Sequence, residues 1–119
     1  MKHNFKELNA WKESMTLTYL LYQNTTDLPK EEKYGLSSQV KRAAVSIPSN
    51  IAEGSSRRSV KEFLRYLEIT KGSSYEIETQ LLLISRIYPK IELEKSFDQL
   101  EIAQKNIQGL INSLKKKLD

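Results

Sequence analysis

A chain of 119 residues with no cysteine holds one domain, spanning 1–119, that buries a single core without disulfides, and it excludes thiolate chemistry. Its net charge of +4 is compatible with nucleic-acid binding but does not specify it. The first residues lack the apolar segment of a signal peptide and the longest aliphatic run is Leu81 to Ile84, so the expectation is a soluble, cytoplasmic protein with no membrane partner.

The first helix is expected from about residue 6 to 24, because Leu8, Trp11, Met15, Tyr19 and Tyr22 recur at three- and four-residue spacing and form its core stripe. Leu17, Leu20 and Leu21 fall off that stripe. Asp27, Leu28 and Pro29 then break the pattern, and a charged connector leads to Gly35.

Helix two is expected over 36–53. Leu36, Val40, Ala43, Ala44, Ile47 and Ile51 face the core, while Arg42, Ser46, Ser49 and Glu53 share a neighbouring side and Asn50 lies between the two. Pro48 removes a donor and crowds the carbonyl of Ala44, yet the stripe continues to Ile51, which predicts a kink and not a stop. Gly54 is expected to end the helix in the left-handed conformation. Ser59 and Glu62 form a capping box for the next helix.

Helix three, 60–88, meets no strong breaker before Pro89. Its core stripe is Phe63, Leu67, Thr70, Ser74, Ile77, Leu81, Ile84 and Tyr88, with Leu64, Tyr75 and Leu82 on a second. Gly72 costs helix propensity of roughly 1 kcal/mol relative to alanine, so Gly72, Ser73 and Ser74 are expected to mark a close helix crossing, the alternative being a tolerated, exposed glycine. Helix four, 94–118, buries Phe97, Leu100, Ala103, Ile107, Leu110, Ile111, Leu114 and Leu118, and Lys115, Lys116 and Lys117 suit the negative end of its dipole.

Four amphipathic helices with short turns predict an all-α, antiparallel up-down four-helix bundle. The second apolar stripes on helices one and three predict symmetric self-association. Charge should be polarised, with basic residues in excess between Lys41 and Lys71 and acidic ones from Glu76 to Glu101.

Catalytic chemistry finds little to work with. His3 is the single histidine, so neither a Ser-His-Asp arrangement nor a di-metal Glu-x-x-His motif can be built, and no catalytic residue, metal or cofactor is expected. Glu76 and Glu78 lie about 200° apart round a helix and cannot share a face. Glu53 with Glu76 across helices is the one carboxylate pair left to consider. Gly54, Ser55 and Ser56 before a helix suggest a phosphate cradle but lack a Walker lysine and a preceding strand.

Binding is better served. Arg42, Ser46, Asn50, Glu53 and Glu76 form a polar cluster that either satisfies local groups, with Glu53 pairing with Arg42 or Arg57, or recognises a partner. Arg57, Arg58, Lys61 and Arg65 crowd a turn and the helix start after it, which suits phosphate contact.

The segment SIPSNIAEGSSRRS, preceded by Gln39, Arg42 and Ala43, resembles the 23S ribosomal RNA intervening-sequence proteins, and the likeness extends from Phe5 to Leu81. The resemblance implies a four-helix bundle in a ring-shaped homopentamer. It also implies relatives encoded within inserts of ribosomal RNA genes, and others that assist reverse transcriptases of diversity-generating retroelements. The functional expectation is a non-enzymatic, homo-oligomeric scaffold that contacts structured RNA, or a nucleic-acid enzyme, through its basic turn. The alternative is a protein-binding adaptor that uses apolar and acidic surfaces, Glu76 and Glu78 included, and has no nucleic-acid role.

Overall fold

The computed structural model describes residues 4–118, and its helices are α1 (Asn9–Thr26), α2 (Leu36–Ser55), α3 (Val60–Ile87) and α4 (Glu94–Lys115). Short 3-10 turns stand at Phe5–Glu7, Lys30–Glu32 and Lys116–Leu118, and no strand occurs among the described residues. Short connections make consecutive helices antiparallel. Each of α1 and α3 packs on both α2 and α4, which closes a four-sided bundle 48 Å long and 23 by 20 Å across.

The core of α1 differs from the expected one. Ala10, Ser14, Leu17, Leu21 and Thr25 are buried, whereas Met15, Tyr19 and Tyr22 are 45%, 66% and 41% exposed. Both stripes have helical period, so spacing alone does not rank them. The inner one includes small and polar residues that score poorly as apolar but let neighbouring backbones approach. Leu8 and Trp11 stay at the core's edge, with Phe5 set edge-on to the indole at 5.3 Å.

In α2 the expected apolar stripe is buried or packed against the core, and the helix runs through Pro48. Proline has no N–H for the carbonyl of Ala44. The Thr18 hydroxyl on α1 lies 2.9 Å from that oxygen and equally far from the Ser14 carbonyl, so its single proton serves either acceptor.

Gly54 does not end α2. It is helical and buried, no glycine has positive φ, and the helix ends at Ser55. Its function is steric: a Cβ there would lie 2.7 Å from the Tyr66 Cβ and 2.9 Å from the Phe63 Cδ1, so the end of α2 touches the start of α3. Ser59 caps α3, accepting from the Glu62 N–H at 3.1 Å, while the Glu62 carboxylate turns back to the Ser59 hydroxyl at 3.4 Å.

Gly72, expected at a close crossing, faces outward, where a side-chain Cβ would meet nothing within 4 Å, and Ser73 and Ser74 are the buried pair. One step of about 100° separates glycine from serine on the helix, enough to exchange solvent for core. Leu118, expected in the core, is 54% exposed because α4 gives way to a 3-10 turn before it.

At the far end, Tyr88 donates to the Glu32 Oε2 at 2.5 Å, and the Glu32 Oε1 accepts from the Leu36 N–H at 3.1 Å. One carboxylate thus caps α2 and ties the α1–α2 connection to α3. The Tyr88 bond first, and the Leu36 bond second, hold the Glu32 carboxyl below its usual range, while the same pairing pushes the Tyr88 phenol up.

Two outcomes are expected. Gly54→Ala gains helix propensity of roughly 1 kcal/mol, but the helices must separate, so urea unfolding should show a net loss of stability, the overpacking cost being about 1–3 kcal/mol. A depressed carboxyl stabilises the fold above its unfolded pKa, near about 4, and loses that contribution as pH falls through the lower folded value. Glu32→Gln should therefore be less stable than the unmodified protein at neutral pH, with the gap closing in acid; a constant gap in unfolding midpoints would refute the role.

Candidate nucleic-acid interface

The polar side of α2 faces α3 along one seam. Arg42 donates to the Glu76 Oε2 at 2.9 Å and to the Gln39 Oε1 at 3.0 Å. One turn on, the hydroxyls of Ser46 and Ser73 meet at 2.9 Å, and Asn50 donates to the Ser46 carbonyl at 2.8 Å and to its hydroxyl at 3.0 Å. At the end of the seam the Arg57 Nη2 donates to the Glu53 Oε2 and to the Tyr66 Oη, both at 2.7 Å, and Tyr66 donates to the same carboxylate at 3.2 Å. The Arg57 guanidinium also stands 4.9 Å from the centre of the Tyr66 ring.

These bonds differ in weight. The Arg42–Glu76 pair is about half exposed on both sides, which limits it to under about 1 kcal/mol. The Ser46–Ser73 bond is partly buried and contributes about 1 kcal/mol. Its position is matched to the register that the buried stripes of α2 and α3 set. The cluster formed by Arg42, Ser46, Asn50, Glu53 and Glu76 is therefore occupied within the protein, and of the two cations open to Glu53 it takes Arg57.

Arg57 is consequently turned back onto the bundle, with its Nε buried and lacking an acceptor among the described residues. Arg58, Lys61 and Arg65 are exposed and form no ion pair among the described residues. Arg65 borders a shallow groove with Glu62, Tyr66 and Ile69. The turn and the start of α3 thus present three cations without an ion pair among the described residues, on a scaffold that the fourth cation holds in shape. Tyr66, which completes that scaffold, carried no sequence signal, because its spacing from Arg57 matches no helical repeat across the turn.

The carboxylates do not converge. Glu78 accepts from Gln104 on α4 at 3.1 Å while Glu76 faces α2, so they occupy opposite sides of α3. Glu53 is held at Tyr66, ten residues or about 15 Å along α3 from Glu76, which separates the one carboxylate pair that the sequence left open. Among the described residues no group of three or more His, Cys, Asp or Glu could hold a metal ion, and His3 lies outside them. No helix is long and apolar enough to cross a membrane among the described residues.

No curated protein matches the chain. Residues 6–113 match the family model described as 23S rRNA-intervening sequence protein, a span that takes in the first three helices, the seam, the basic turn and most of α4. With nearly all of its length inside that match, the chain belongs to the 23S rRNA-intervening sequence protein family.

Proposed function

We propose that the protein is a non-enzymatic cytoplasmic scaffold, assembled from several copies into a symmetric ring, that holds structured RNA against the turn between α2 and α3. The observation that carries this reading is the set of three exposed cations, Arg58, Lys61 and Arg65, that form no ion pair among the described residues, around a turn fixed by Arg57, Glu53 and Tyr66. Free cations release counterions from a phosphate backbone, and a rigid turn lowers the entropy lost on binding. Repetition round a ring, a pentamer in the family resemblance, would multiply weak contacts. A polymerase or another nucleic-acid enzyme fits as a partner brought to the same RNA. The adaptor reading is less favoured, because Glu76 and Glu78 already have internal partners.

Self-association is supported by the outward face of α3. Ile69, Leu83 and Ile87 are 50%, 44% and 54% exposed there. Beside them, a shallow groove lined by Gly72, Tyr75, Glu76, Thr79 and Gln80 contains the buried Gln80 Oε1, which has no donor among the described residues.

The RNA reading is tested by titrating a structured RNA at several salt concentrations with the unmodified protein and with an Arg58→Glu, Lys61→Glu variant; Arg57 is kept because it holds the turn. The expected result is binding by the unmodified protein alone, with affinity falling steeply in salt. Equal, weak binding by both would remove the RNA reading at this site. For assembly, Ile69→Glu with Leu83→Glu should reduce the mass in light scattering to that of the 13.8 kDa protomer. An unchanged multimer would show that this face is not the interface.

A further inference from the structure

The fold brings together two basic segments that are far apart in sequence. Because the bundle is up-down, α4 ends at the pole where α2 ends and α3 begins, and the 3-10 turn Lys116–Leu118 packs against α3. Lys115, Lys116 and Lys117 therefore share one end of the molecule with Arg58, Lys61 and Arg65. All six are exposed and none forms an ion pair among the described residues. The carboxylates near them are fewer: Glu53 is taken up by Arg57, Glu62 accepts from the Ser59 hydroxyl, Glu7 on the first 3-10 turn stands beside Lys6 and accepts from Asn4, and Glu68 lies three residues beyond Arg65, so cations remain in excess at this end. The opposite pole has no such excess, since Glu31, Glu92 and Glu94 alternate there with Lys30, Lys90 and Lys95. The lysine run also lies beyond the matched family segment, which ends at residue 113.

We infer that the whole basic pole, and not the turn alone, is the nucleic-acid surface, with the lysines at the end of α4 forming its second half and double-stranded RNA as its ligand. This rests on the proposed function. The bundle's cross-section of 23 by 20 Å is broad enough to lie along a duplex backbone, which presents one charge per about 1.7 Å of axis when both strands are counted, as in B-form DNA. A single strand would engage one line of cations; groups carried by two different elements suit the two backbones that flank a groove. Lysine and arginine on mobile stems fit phosphates without reading bases, so recognition should depend on shape and salt and not on sequence.

The experiment uses the full chain and an RNA duplex of about 16 base pairs, titrated from low to high salt against three variants. One replaces Lys115, Lys116 and Lys117 by Gln; one is Arg58→Gln, Lys61→Gln and Arg65→Gln; the control is Lys30→Gln, Lys90→Gln and Lys95→Gln, which removes equal charge from the other pole. Thermal unfolding checks that all fold alike. The expected result is that each variant of the basic pole weakens binding by about tenfold or more and lowers the salt slope by about 0.9 for each phosphate no longer neutralised, while the control binds like the unmodified protein. If only the turn variant weakens binding, the composite pole is wrong and the proposed function stands. If only the α4 lysine variant does, the composite pole is equally wrong and the site moves to those lysines. If all three weaken it equally, or none does, net charge or no specific surface is at work and both readings fall. Tighter capture by vesicles of anionic lipid than by the duplex would also overturn the inference.

Discussion

The close approach of α2 to α3 at Gly54 is the constraint on which the functional end of the molecule depends. Without a side chain there, the Tyr66 and Phe63 side chains reach the α2 backbone, and Tyr66 is brought to Glu53 and Arg57. That approach converts a short arginine-rich turn, which would otherwise be a mobile solvated loop, into a fixed platform. The seam that continues up α2 through Asn50, Ser46 and Arg42 serves the same end, matching the register of the two helices with bonds that are individually weak.

A second consequence concerns which apolar residues remain outside. The four helices close on a narrow core built from small residues as well as large ones, with Ala10, Ala43, Ala44, Ser74 and Ala103 buried at helix contacts. Such close packing leaves no room for Tyr19 or Tyr22, which go to the surface along with the outer face of α3. The surplus of apolar surface is thus produced by tight packing inside, and it is what makes the assembly reading physically reasonable.

Charge follows topology in the same way. An up-down bundle places alternate connections at the same pole, so cations from the α2–α3 turn and from the end of α4 accumulate at one end although they are far apart in the chain. The Arg57–Glu53 pair removes one local carboxylate from the balance while leaving its neighbours free.

Much was legible in the sequence because it rests on local rules. The helix periods, the Ser59 cap, the passage of α2 through Pro48, the stripe of α3 and the family likeness all follow from residue type and spacing. What spacing could not decide was rotation and partnership. Two stripes of equal period on α1 left the core face undetermined, and only the neighbours α2 and α4 chose the one with Ala10 and Ser14. Gly54 read as a helix stop because glycine's backbone freedom is a local property, whereas its use here, admitting α3, exists only once another helix arrives. Likewise the sequence offered Arg57 to Glu53 four residues before it but grouped it with Arg58 as a phosphate-binding residue; Tyr66, contributed by the next helix, makes Arg57 structural and leaves Arg58 free.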